Sequence, residues 1–338
     1  MSGRRFTRRL LIPIAGAVVL AGVIAAPSAF SDESPDGPPQ LVCEVARSAD
    51  DSTGTTRSLP PDEAAALVET TRSYLGPCVE YGPAVALGDG ELRVLGGVKR
   101  GRPTVIGLSL TSATLRNLPD TMSDGQRCFD VNGDGAIGPM ECAGGHQRDL
   151  QLPGNLTGLS TSAFRYVMVN WNVMGHGPPA VYTEPHFDIH FYLRSPAEVE
   201  AIRLGPCGNV VHCDDFATGR VPVPAEYNPA DYGDYGFVQG KMGNHLVDKT
   251  SDEWHGGLFD RTFVYGSYNG EITYLEPMVT KAWIDGLATG ATEEGCFPIK
   301  QPQKWQVAGW YPTEYCGFYR PNRDEYVVSL AGFREAAT

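Results

Sequence analysis

The chain contains no Cys-x-x-Cys pair and no Cys/His string with zinc-finger spacing, so thiol redox chemistry and small zinc modules have no motif to carry them. No Gly-x-Ser-x-Gly elbow, His-Glu-x-x-His string or phosphate-binding loop occurs either, which leaves nucleophile-based hydrolysis and nucleotide binding without support. Basic residues are scarce: 27 Lys and Arg stand against 40 Asp and Glu, a net charge of −13. That balance argues against nucleic acid or an anionic membrane as a partner, and it suits solubility and calcium. Long apolar runs are missing apart from Leu10 to Ala26, and no internal repeat is found.

What is present begins with that run. Arg4, Arg5, Arg8 and Arg9 precede it, and Ala29-Phe30-Ser31 follows as a small-x-small cleavage site. Residues 1–31 therefore read as a signal peptide, with no membrane association expected once it is removed. A retained anchor is the alternative, although the run is at the short end of what spans a bilayer. Cleavage removes four positive charges and no negative ones, moving the net charge from −13 to −17. The expected location is secreted or in the cell envelope.

All eight cysteines lie beyond this segment, an even number that points to disulfides in an exported chain. Spacing favours Cys128 with Cys142 and Cys207 with Cys213. Cys43, Cys78, Cys296 and Cys316 are left to pair among themselves, within the roughly 105 connectivities that eight cysteines allow.

Residues 32–59 start with Pro, Ser, Asp and Gly and read as linker. Residues 60–338 read as a single β-rich domain. Pro60 to Tyr74 carries the one convincing helix pattern, with Ala64, Leu67, Val68 and Thr71 at helical spacing. Elsewhere the sequence runs in short β-rich bursts punctuated by Gly and Pro: 92–97, 104–110, 164–171, 186–193, 261–268, 271–279 and 326–330. This predicts a mainly β fold, a barrel-like or sandwich domain with few helices. Asn269-Gly270 predicts a tight type I′ hairpin. An unbroken register from that turn would set Glu276 opposite Phe263 and Tyr274 opposite Tyr265, and a carboxylate among aromatics needs a partner.

Asp130 to Glu141 matches a calcium-binding EF-hand loop. Asp130, Asn132 and Asp134 supply oxygens at positions 1, 3 and 5, Gly135 allows the turn at 6, and Ala136 offers its carbonyl at 7. Glu141 closes the loop at 12. The flanks depart from the usual helix pair: Cys128 and Cys142 bracket the loop, and Pro139 and Gly144-Gly145 stop a following helix. A disulfide clamp would prevent sensor-type opening, so calcium is expected to be structural.

The string Pro185-His186-Phe187-Asp188-Ile189-His190-Phe191-Tyr192 is the most informative strand. Alternation sets His186, Asp188, His190 and Tyr192 on one face and Phe187, Ile189 and Phe191 on the other. Solvated faces carry Lys, Glu or Thr, so two histidines with an aspartate suggest a metal site in a barrel or cleft. A hydrogen-bonded polar row without metal is the competing interpretation. His186 and His190 lie ~13 Å apart at Cα at ~3.3 Å per residue, so they cannot share one ion without a bend or bulge. Further candidates are His176, His245 and Glu276. His186, His190, His245 and Glu276 form the predicted zinc set, with His176 and Asp188 as alternates; His146, His212 and His255 read as surface residues.

At these residues the chain resembles a poorly characterised family of secreted bacterial proteins, typified by a sigma-E/anti-sigma-E-controlled Thermus protein that forms a ring. The resemblance rests on Gly175-His176, the Pro185–Tyr192 string, Met242-Gly243-Asn244-His245, Thr262 to Gly266, Glu276-Pro277-Met278 and the stretch from Tyr311-Pro312 to Leu330. It implies a single β-rich domain, a metal site at the shared histidines and glutamate, and homo-oligomerisation. It implies no known reaction. Three features depart from the pattern: the calcium loop at 127–143 looks inserted, Cys207 to Cys213 forms an extra loop, and Asn244 stands where an apolar or aromatic residue is usual. The extra staples put ring contacts in doubt.

The leading expectation is a metal-binding structural or interaction protein of the cell envelope, with Ca2+ in the loop and Zn2+ at the histidines. A zinc-dependent hydrolase would instead leave one coordination position for water, with Asp188 or Glu276 as general base. A third reading is a small-ligand carrier whose cavity is lined by Trp171, Phe187, Tyr265 and Tyr274.

Overall fold

The computed structural model describes residues 37–46, 54–138 and 140–336. The predicted signal peptide and its cleavage site lie outside the described residues, as does Pro139. Among the described residues, no helix is long and apolar enough to cross a membrane.

Two seven-stranded antiparallel sheets face each other. One runs Tyr232–Asp234, Asn244–Asp248, Arg261–Tyr268, Glu271–Thr280, His186–Tyr192, Tyr166–Asn172 and His146–Gln151 in spatial order. The other runs Gly295–Pro298, Glu314–Arg320, Glu325–Ala331, Arg102–Thr111, Gly90–Lys99 and Glu80–Tyr81, with Val85–Leu87 also paired to Gly90–Lys99. The fold is a sandwich and not a closed barrel. Its core forms because alternate residues of both sheets point inward: Leu92, Val94, Ile106, Leu108 and Val328 from one meet Val167, Val169, Phe187, Ile189, Phe191 and Leu275 from the other.

Trp171, Phe187 and Tyr265 belong to this core, whereas Tyr274 packs on the opposite side of its sheet with Tyr192, Met168 and Met242. The four rings expected to line one cavity are thus split between two faces, which corrects the basis for a carrier.

The segment expected to be linker holds strands Gln40–Glu44 and Thr55–Leu59, which form a small three-stranded sheet with Tyr74–Leu75. A Cys43–Cys78 disulfide ties this sheet down. The predicted helix spans Pro61–Thr70. A second helix that the sequence pattern did not disclose, Lys281–Thr289, starts where the Thr280 side chain accepts from the Trp283 amide, and it ends at Gly290 in the left-handed region. The remaining bridges are Cys128–Cys142, Cys207–Cys213 and Cys296–Cys316, and no described cysteine is free. Four disulfides suit an oxidising, extracytoplasmic compartment.

Asn269 and Gly270 both have positive φ, 52° and 75°, as the predicted hairpin requires. The register then shifts at Gly266/Ser267, so Glu276 pairs with Val264 and Tyr274 with Gly266. This corrects the unbroken register by one residue and moves Phe263 and Tyr265 to the core face. Gly266 is needed there: a Cβ would overlap the Tyr274 ring.

Candidate metal centre

The histidine strand runs between Glu271–Thr280 and Tyr166–Asn172, with Phe187, Ile189 and Phe191 fully buried in the sandwich core. Its other face is buried as well. Connecting stretches between 193 and 260 pack over it, placing Val199 and Met242 against Tyr192 and Tyr274, and Phe259 beside Tyr182 and Met278. His186 and His190 are therefore 0 % exposed and Asp188 only 6 %. A row of titratable groups facing away from the main core is sealed under a second, smaller layer, and each member needs a polar partner.

The predicted zinc set does not converge on one point. Six side chains gather instead into two groups of three, one of His190, His245 and Glu276, the other of His176, His186 and Asp188. Within each group the ligand atoms lie within 4.8 Å of one another. The strand's extension divides them: His186 and His190 are four residues apart with no bulge between, so they serve different groups.

In the first group, His190 and Glu276 are cross-strand neighbours, and His190 Nε2 lies 3.2 Å from Glu276 Oε1. His245, from the next strand but one, brings Nε2 to 4.0 Å from Glu276 Oε2. His245 Nδ1 is 2.8 Å from the Phe237 carbonyl. A carbonyl can only accept, so Nδ1 carries the proton and Nε2 presents its lone pair in the neutral ring. Both ring nitrogens of His190 and Glu276 Oε2 lack a partner with hydrogen-bond geometry. Burial lowers the His190 imidazole to about 3 and His245 to about 4. Burial, with Asp188 adding, raises the Glu276 carboxyl well above its ordinary range. The protein alone thus holds under-satisfied polar groups inside an aromatic wall, with the Tyr274 ring 5.0 Å from His190 and 5.6 Å from His245. Two imidazoles and a carboxyl group placed this close could hold a metal ion.

In the second group, His186 Nε2 is 3.0 Å from Asp188 Oδ1 and His176 Nε2 is 3.3 Å from Asp188 Oδ2. The Asn172 amide donates to Asp188 Oδ2 at 2.7 Å. Burial works to raise the Asp188 carboxyl, but the imidazoles of His186 and His176 hold it well below its ordinary range. His176 reaches the group from a loop that doubles back tightly. Gly175 has φ 63° and its position abuts the backbone of Tyr182 and Thr183, so no side chain fits there.

The loop expected to bind calcium folds around its own side chains. Asp130 accepts from the Gly133, Asp134 and Gly135 amides, and Asn132 and Asp134 accept from the amides of Asp134 and Ala136. Glu141 reaches back to Val131, Asn132 and Gly138. Its carboxylates are not among the groups that bring three ligand atoms within 4.8 Å of one another.

His146 is corrected from a surface residue: it is 6 % exposed at the start of an edge strand and bonds Thr121. Sequence reasoning missed the role of Asn172, although strand pairing sets it opposite His186. The carbonyls of Phe237, Gly177 and Glu184 that orient the imidazoles left no signal, because any residue supplies one. Comparison with protein-family models, with curated proteins and with solved structures finds no match for this chain.

Proposed function

We propose that the chain is an exported metal-binding protein of the cell envelope, with zinc at His190, His245 and Glu276 and calcium in the Asp130–Glu141 loop. The observation that carries this reading is the trio itself: a carboxyl group and two imidazoles gathered under cover, with both His190 nitrogens and Glu276 Oε2 lacking a hydrogen-bond partner. Zinc accepts two nitrogens and one carboxylate oxygen, and sealing by aromatic side chains suits a structural ion. The calcium assignment rests on the loop's ligand spacing and on its clamp, the Cys128–Cys142 bridge. A clamped loop with no flanking helix among the described residues has no lever to transmit opening, so calcium here stiffens rather than signals.

A hydrolytic reading draws on the count of ligands, since each group offers three rather than four and a three-ligand zinc keeps a position for water. At the buried trio this is opposed by access: the side chains of His190 and Glu276 are 0 % and 1 % exposed and that of His245 15 %.

Metal content by mass spectrometry, before and after dialysis against a chelator, tests the assignment. One calcium per chain should be present in the wild type and absent from Glu141→Ala, with zinc retained by both. Equal calcium in the two proteins would remove the loop from the function.

A further inference from the structure

Three side chains, two from the polar row and one from the loop before it, remain outside that assignment. We propose that His176, His186 and Asp188 hold a second divalent transition-metal ion, separate from the buried one, in a site that keeps a water-filled coordination position open to the surface.

The geometry is that of oriented ligands. His186 Nδ1 lies 2.6 Å from the Glu184 carbonyl and His176 Nδ1 2.9 Å from the Gly177 carbonyl, so each ring turns Nε2 towards Asp188. Metal-ligating imidazoles are held in this way, with the far nitrogen donating to a backbone oxygen. The Asn172 amide steadies the carboxylate, and the Phe259 ring packs edge-on to His186 at 5.2 Å. Asp188 Oδ1 has no partner with hydrogen-bond geometry, although His186 Nε2 lies 3.0 Å away.

The two sites share no residue. Asp188 and His190 are successive residues on one strand face, ~6.6 Å apart at Cα, so each ion has its own carboxylate and its own pair of imidazoles. Access separates them further. The His176 side chain is 39 % exposed, whereas its counterparts His190 and Glu276 are sealed. Three protein ligands and an exposed edge leave room for water, and a small anion can take the water's place. Two nitrogens and one oxygen suit zinc and cobalt(II).

The metal-free alternative is a proton between His176 and Asp188, which would account for their 3.3 Å separation without an ion. Cobalt(II) titration of the full mature chain, with the loop saturated by calcium, separates the two. Stoichiometry is read by equilibrium dialysis and site type by visible absorption, on the wild type, His176→Gln and Glu276→Gln. Because His176 lies on an exposed loop, its variant should keep the wild-type circular dichroism. Two cobalt ions per wild-type chain, falling to one in His176→Gln, are expected. Azide should shift the spectrum of Glu276→Gln, which retains the open site, and leave that of His176→Gln unmoved. Equal stoichiometry in the wild type and His176→Gln would overturn the proposal, and so would loss of all cobalt from both His176→Gln and Glu276→Gln, which would mean one shared ion. The proposal does not require the buried site to be filled: cobalt lost through Glu276→Gln reports on that site alone.

Discussion

His190→Ala should lose the tightly held zinc, with affinity falling by more than ~100-fold, because it removes a ligand outright where loss of an outer partner already costs ~10–100-fold. The measurement is competition with a chromophoric chelator at neutral pH. The effect should be large because the remaining ligands, His245 and Glu276, come from different strands and leave a void where the imidazole stood. The holo wild type should also unfold at higher temperature than its chelated form, since metal bound only by the folded state adds its binding free energy to stability. In His190→Ala that difference should shrink towards zero. Unchanged zinc affinity in the variant would leave the trio as a polar core.

Glu325→Gln should destabilise the fold by ~3–5 kcal/mol, the cost of leaving buried cations without their anion. Glu325 is 5 % exposed, and its carboxylate is 3.0 Å from Arg320 Nη1 and 3.0 Å from Arg323 Nε. Ser109 donates to its other oxygen from the neighbouring strand. The Arg320 guanidinium also stacks over the Tyr74 ring at 4.1 Å, which joins the small amino-terminal sheet to the sandwich. Burial works to raise the Glu325 carboxyl, but the two guanidinium groups hold it below its ordinary value of 4.5. A carboxyl held low in the folded state binds fewer protons there than when unfolded. Its contribution is therefore fully present above pH 4.5 and is lost as pH falls through the folded value. Denaturant unfolding of both proteins from pH 7 downwards reads this directly: the gap should be widest at neutral pH and close in acid. A gap under ~1 kcal/mol at pH 7 would show that Arg320 and Arg323 find water instead.

Periodicity disclosed seven of the fourteen strands of the two large sheets. Period-two patterns found the strand at 186–192 and the hairpin from 261 to 280, and Asn269-Gly270 placed its turn. The bulge at Gly266 was not legible, because the glycine is demanded by a ring, Tyr274, that lies across the pair rather than along the chain. Glu314–Arg320 was missed for a related reason: Gly317 interrupts its pattern, and the space it leaves is filled by Trp283 from the hidden helix. At the site, residue types pointed to metal ligation, and the ~3.3 Å rise already warned that His186 and His190 could not share an ion. Partner assignment needed tertiary structure. His245 comes from a strand of the same sheet that local spacing does not tie to His190, and nothing in local spacing says which of the two groups a loop histidine such as His176 will join. Glu325 gave no signal either, since a glutamate at a strand start usually faces water.

The four bridges join Cys43 to Cys78, Cys128 to Cys142, Cys207 to Cys213 and Cys296 to Cys316. Each cysteine is bonded to its immediate neighbour in cysteine order. For a chain delivered amino terminus first into an oxidising compartment, every odd-numbered cysteine emerges unpaired and the next to appear is its native partner. Vectorial delivery then selects the right connectivity by arrival time, and an oxidase suffices where crossed pairings would call for an isomerase. Oxidative refolding of the full-length reduced chain has no such ordering and should yield mispaired species that secretion of the same chain does not. Equal fidelity by both routes would assign the pairing to the folded core alone.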